Sequence, residues 1–480
     1  MLERAVKLTV PDIDERRICD LQLDLQELNL VLEYEKYYHP ERFIERCEEI
    51  LQYIEHSAMD ERSMAKIYPK VVWYLGSALQ RIGEETYSQI LKLTNQAVEI
   101  LRNTQKNHYL WEVLSLRETI LENLIDYHKE SGAEKRVEAL MPMYRENREW
   151  KDAIQAVYDM VGYSFRTGDY SYLYMQQEMH DIKDVMRSRR DMLGISREKL
   201  NAGTFDKKTL IRLEAGQGKP RMTTVKTLFA RLNLSGELQR TDVVANTKEA
   251  RDLVEKLVRE ANNFELEKER ETLAQLEQCL DMRIPLNRQF VKTQQAIILH
   301  GGRKCNREKA FAVMKEALEC TIPLEKIRKS KKRYLTGGEI TCLYNMAIYA
   351  GNTEINEFHE ILLEQCEEYE KEGIIGAHIG KYAWILTSVA RVYSNMGEHE
   401  EAMKLSEKAM QASLECGRLA LVEQNVDCIS WNRMQLQKKG TSEKERCSRR
   451  KELELCIVLS KFGRNVYREK KYVNKLTPFG

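Results

Sequence analysis

Residues 181–236 read DIKDVMRSRRDMLGISREKLNAGTFDKKTLIRLEAGQGKPRMTTVKTLFARLNLSG, and the spacing of their apolar side chains decides how the stretch folds. Ile182, Val185, Met186, Arg189 and Leu193 recur at three- and four-residue steps, the period of one helix face. Gly194 ends that helix where a positive φ is wanted, and Ser196 is placed to cap a short second helix that turns Leu200 inward. Asn201-Ala202-Gly203 makes a turn before Asp206, the expected cap of a third helix. On that helix Leu210 and Leu213 face the core, and Lys207, Lys208, Ile211, Arg212 and Ala215 face outward or sideways. Gly216 stops it. Beyond Pro220, Thr223 or Thr224 caps a fourth helix whose Val225, Leu228, Phe229 and Leu232 close the bundle. A compact four- to five-helix domain follows, near the smallest size that folds alone.

Charge is concentrated in the same stretch. It holds thirteen Lys and Arg against six Asp and Glu, a net +7, and so leaves −6 for the remainder of a chain whose total is +1. A basic patch on one small domain points to a polyanionic partner, which the near-neutral total does not. A solvated lysine-rich spacer would also account for the excess. The cap at Asp206 and the Leu210 to Pro220 spacing serve the fold on either reading, whereas the outward Lys207, Lys208 and Arg212 separate the two.

The string Arg190, Gly194, Ile195, Ser196, Glu198, Leu200, Thr209, Leu210, Leu213, Glu214, Gly216 and Pro220 resembles the helix-turn-helix of the Cro and phage-repressor family, also called XRE. Asn201 departs from the pattern, standing where a small apolar residue is usual. The resemblance implies that the third helix enters the major groove of double-stranded DNA. Lys207, Lys208, Thr209 and Arg212 would then read base edges and nearby phosphates, and Arg197, Lys199, Lys219 and Arg221 would grip the backbone. Arginine and lysine suit both tasks, because they donate to guanine O6 and N7 and neutralise phosphates.

Outward from this domain, the sequence is helical on both sides. FIERCEEILQYIEH and YPKVVWYLGSALQRIG carry apolar residues at helical spacing, with Leu75, Gly76, Leu79 and Gly83 in a degenerate tetratricopeptide-like pattern. A clearer unit is AWILTSVARVYSNMGEHEEAMKLSEKAM, in which Ala390 and Ala402 allow close helix approach beside Tyr393, and Gly397 permits the reversal. Two further hairpins are expected between Thr247 and Pro323, and one last hairpin after Ser442. AVKLTVPDIDERR at Ala5 parallels ALECTIPLEKIRK at Ala317, an offset of 312 that also relates Leu23 and Glu27 to Leu335 and Glu339. One helical array therefore recurs, and the expected fold is an all-α tetratricopeptide-like solenoid carrying a central helix-turn-helix domain. Its divisions are an N-terminal array at 1–179, the DNA-binding domain at 180–240 and a C-terminal array at 241–480.

Other function classes find little support. The histidines, among them His39, His108, His180, His300 and His378, do not pair with acids at catalytic or metal-ligand spacing, and the eleven cysteines show no close pairs. Phosphate loops and nucleophile elbows are missing from the sequence, so no enzyme, metal or cofactor is expected. No apolar run reaches the ~18 residues of a membrane span, and the start has no signal-peptide core. A cytoplasmic protein is expected.

A phage-repressor-type domain joined to tetratricopeptide-like helices resembles the RNPP and Rgg-type regulators of Gram-positive bacteria, which sense signalling peptides. That resemblance implies a transcriptional regulator, a homodimer on duplex DNA, whose repeats take a peptide or protein ligand. Side-chain amides hold an extended peptide backbone in such grooves, which makes Asn345 and Asn425 candidates. The rival is a tetratricopeptide-type interaction scaffold whose helix-turn-helix does not bind DNA.

Overall fold

A computed structural model of the chain describes residues 1–57, 59–79, 83–164, 182–203, 207–215, 217, 221–234, 243–245, 247–262, 265–301, 306–351, 353–373, 375–437 and 443–476. The chain is all-α. Its first helices are α1 Leu2–Thr9, α2 Leu25–Tyr38, α3 Phe43–His56, α4 Glu61–Ala78, α5 Glu84–Thr104, α6 Leu110–Glu130 and α7 Glu134–Val161. The basic stretch forms α8 Ile182–Leu193, α9 Arg197–Asn201, α10 Lys207–Glu214 and α11 Met222–Arg231. Paired helices follow as α12 Lys248–Asn262, α13 Leu266–Cys279, α14 Pro285–Gly301 and α15 Arg307–Glu319. The remainder is α16 Leu324–Lys329, α17 Gly337–Ala350, α18 Glu357–Glu372, α19 Ile375–Met396, α20 His399–Glu415, α21 Val422–Leu436, α22 Glu443–Phe462 and α23 Val466–Leu476.

The chain divides into two compact units. One comprises Met1–Tyr174, Ser413–Asp427 and Ser442–Gly480; the other comprises Met175–Ala412 and Cys428–Thr441.

In the first unit the two ends of the chain share one core. Arg102 on α5 donates Nε–H to the Phe462 carbonyl at 2.8 Å and Nη2–H to that of Lys461 at 3.2 Å. Its guanidinium lies 4.8 Å from the Trp150 ring, which meets Phe462 edge-on at 5.3 Å. Gly76 is demanded by close packing: a Cβ there would fall 2.5 Å from Leu116 Cδ2, so α4 and α6 approach only because the position is glycine. Within α4 the helix begins earlier than the sequence pattern suggested, because Asp60 accepts from the Arg62 and Ser63 amides and starts it eight residues ahead of Pro69.

In the second unit, the hairpin α19–α20 reverses at Gly397, whose φ is +87°, with Ala390 and Ala402 fully buried between the helices. The expected hairpins α12–α13 and α14–α15 are present. The sequence repeat also has a local counterpart. Asp24 and Glu27 form a capping box on α2, and Thr336 and Glu339, at the same offset, form one on α17.

Candidate nucleic-acid interface

The four helices of the basic stretch fold as their spacing requires. Gly194 takes a φ of +63°, and the Ser196 hydroxyl accepts from the Lys199 amide at 3.2 Å, so α8 stops and α9 starts within three residues. Val185, Met186, Leu200, Leu210, Leu213, Val225, Leu228, Phe229 and Leu232 build one buried cluster. Asn201 is accommodated in the turn: it is buried, and its carbonyl accepts from Arg231 Nη1 at 2.6 Å, beside the Leu200 carbonyl at 2.8 Å. Neither Thr223 nor Thr224 caps α11. The helix starts at Met222 behind Arg221, whose extended backbone supplies the cap position without a side-chain bond, and both threonines fall in the first turn.

Glu214 ties three helices together. Arg190 donates Nε–H to its Oε1 at 2.6 Å, and Arg197 donates Nε–H to its Oε2 at 2.6 Å. Burial alone would raise the Glu214 carboxyl, but the hydrogen bonds from Arg190 and Arg197 together hold it below the usual carboxylate range. This clasp ties α8, α9 and α10 to one carboxylate.

The face of α10 turned away from the core carries Lys208, Ile211 and Arg212, all exposed, and Ala215 is exposed just beyond its end. Ile211, 52% exposed, is the apolar exception on a basic face. Thr209 is half-buried at its edge. Lys207 opens α10, and Lys199 and Arg221 are exposed on α9 and at the head of α11. Arg197 is exposed too, but its Nε–H is committed to Glu214. Lys219, Asp206, Gly216 and Pro220 lie outside the described residues.

The opposite side of the domain is bolted to the helices that follow. Arg189, wholly buried, donates Nη2–H and Nη1–H to the two carboxylate oxygens of Glu339 at 2.5 and 2.8 Å, and Nε–H to the Leu232 carbonyl at 3.1 Å. Glu339 also accepts from the Thr321 hydroxyl at 2.6 Å, and that hydroxyl accepts from Gln289 Nε2 at 2.7 Å. Asn233 Nδ2–H donates to the Thr321 carbonyl at 2.9 Å, and Tyr334 packs on the domain core. Nothing in the motif announced this network. The available signal was an arginine on an otherwise apolar helix stripe, a position that only a buried acid partner makes affordable.

The two asparagines picked as ligand candidates fall in different compact units. Asn345 on α17 is half-buried and gives its amide to the Thr341 carbonyl at 2.8 Å. Asn425 on α21 is fully buried and gives its amide to the Leu421 carbonyl at 3.0 Å. Both side chains thus bond one turn back along their own helices, and Asn425 presents no surface to a ligand in this arrangement.

Among solved structures, the chain is similar to PlcR of Bacillus thuringiensis in complex with the peptide PapR7 and DNA, at 11% identity and a TM-score of 0.37, over 62% of this chain and 98% of that one. It is similar to ComR of S. thermophilus in complex with DNA and its signalling peptide ComS, at 14% identity and a TM-score of 0.35, over 62% and 99%. ComR of Streptococcus suis matches at 14% identity and a TM-score of 0.33, over 64% and 96%. No protein-family model matches the sequence, and no curated protein does. No helix among the described residues is long and apolar enough to cross a membrane.

Proposed function

We propose that this chain is a sequence-specific transcriptional regulator that binds duplex DNA through the domain at 181–236 as a homodimer, under the control of a peptide or protein ligand taken by its helical repeats. The observation that carries the DNA reading is the outward face of α10. Lys208 and Arg212 stand exposed one turn apart on a helix whose other side is locked by the Glu214 clasp. A rigid helix with a basic outer face is what phosphate neutralisation and base-edge reading require.

Lys207, Lys208, Thr209 and Arg212 take the groove in this reading, and Lys199, Lys219 and Arg221 take flanking phosphates. Arg197 belongs with them through its terminal nitrogens, its Nε being engaged by Glu214. Two-fold symmetry of the protein then calls for paired half-sites. Asn345 remains the better placed of the two ligand candidates, since Asn425 would be reached only after repacking.

The test is fluorescence anisotropy on a labelled duplex across a salt series. Log affinity is expected to fall by about 0.9 per phosphate contact per log unit of salt. Absence of duplex binding at low salt favours the interaction-scaffold reading.

A further inference from the structure

Within the first unit, the loop after α5 meets the loop between α20 and α21. Lys106 and Arg418 form an antiparallel bridge, the Leu419 amide donates to the Gln105 carbonyl at 2.9 Å, and the Asn107 amide to that of Gly417 at 3.3 Å. Gly417, with φ at +69°, lies so near the His108 ring that a Cβ would fall 1.9 Å from Cε1. The junction is tightly built, and the side chains it gathers are basic.

Lys106 is 7% exposed. Around it stand Arg418 and Lys66, both half-buried, and Arg62, exposed. Arg62 and Lys66 are four residues apart on α4 and so share a face. Together they make a basic path from solvent at Arg62 to a buried ammonium at Lys106. Asp60 bears on Lys66, at the outer part of this path. Asp60 accepts from the Arg62 and Ser63 amides and from the Ser63 hydroxyl, and Glu61 accepts from Asn103. Glu415 bears on Cys416, a buried thiol whose Sγ–H donates to the Ser413 carbonyl. His108 is buried and held neutral by its desolvation and by Lys106 and Lys66. None of the groups that act most strongly on Lys106 is a carboxylate, and burial with the neighbouring Arg418 brings its ammonium down to about 7. An ammonium buried among other cations is costly, and an anion placed beside it removes that cost.

We propose that Arg62, Lys66, Lys106 and Arg418 form a binding site for an oxyanion, a phosphate or carboxylate group, seated at the junction of the 105–107 and 417–419 segments. Binding protonates Lys106, so affinity falls as pH rises through neutrality, where the anion-free group loses its proton. The site joins segments from the two ends of the sequence, so its occupant strengthens the closure of the first unit.

The test is isothermal titration calorimetry of the full chain with sodium phosphate and, separately, sodium acetate, each against chloride at equal ionic strength near neutral pH. One or both ligands are expected to give saturable binding, and which of them does so identifies the source of the oxyanion. Repeating the titration in buffers of different ionisation enthalpy is expected to show proton uptake. Lys106→Met is expected to weaken binding by about tenfold or more and to abolish the uptake. It should melt no earlier than wild type in chloride, because a buried charge has been removed. Arg62→Ala, at the exposed rim, is the second variant, and is expected to weaken binding several-fold with melting unchanged. Heats equal to those of chloride, or affinity unchanged in both variants, would overturn the assignment.

Discussion

Arg189 and Glu339, 150 residues apart in sequence, face each other as a fully buried two-pronged ion pair. Arg189 belongs to the first helix of the DNA-binding candidate, and Glu339 to the capping box that starts α17. The pair therefore fixes α8 to α17 and fastens a helix start with the same carboxylate.

Breaking one partner leaves the other charged and dry. Arg189→Met or Glu339→Gln is expected to cost about 3–5 kcal/mol, read as an earlier thermal transition of the second unit. The double variant Arg189→Met with Glu339→Met is expected to lose less than the sum of the singles. A strictly additive double-mutant cycle would show that the two residues do not act as a pair.

The Glu214 clasp gives an acid dependence. Its carboxyl sits below the unfolded range, so the stability it contributes is present above about pH 4.3 and is lost as pH falls through the lower folded value. Glu214→Gln is expected to destabilise the domain at neutral pH and to lose that deficit in acid. Hydrogen exchange at the α9 and α10 amides checks it, and a deficit independent of pH would count against the clasp.

Glu269 behaves in the opposite sense. It is buried on α13, one of its oxygens has no hydrogen-bond partner, and burial with the charge of Glu260 raises its carboxyl to about 7. Glu260 on α12 is likewise buried, with Lys256 at 3.9 Å as its cation. A raised acid contributes stability that is complete below the unfolded value and disappears as pH rises through the folded one. Glu269→Gln, neutral throughout, is expected to melt higher than wild type at pH 8 and to match it near pH 4. Identical melting curves at both would remove the raised carboxyl from consideration.

Ile211 makes a prediction about base identity. An exposed apolar side chain between Lys208 and Arg212 has one natural contact in the major groove, the C5 methyl of thymine. Replacing thymine by uracil in a bound site is expected to weaken wild-type binding by roughly 1 kcal/mol at the contacted step and to leave Ile211→Ala unaffected. If uracil substitution is silent at every position, Ile211 faces something other than DNA.

Much of this was legible in the residues themselves. The helix stop at Gly194, the cap at Ser196 and the core from Leu200 to Leu232 follow from local spacing, because each depends on neighbours within one or two turns. Long-range partners were not legible. The Arg189–Glu339 pair joins residues that no period relates, and the Arg102 contacts to Lys461 and Phe462 span about three-quarters of the chain. The Thr223 and Thr224 caps failed for a local reason, since backbone geometry at Arg221 was enough to start α11.

On the proposed function, the outer face of α10 reads duplex DNA. The most direct test is selection of bound duplexes from genomic fragments by the full chain, run beside the variant Lys207→Ala, Lys208→Ala, Arg212→Ala. Wild type is expected to enrich an inverted repeat, and the variant, still folded by circular dichroism, to enrich none. No enrichment by wild type at low salt, or the same repeat recovered by the variant, would contradict it.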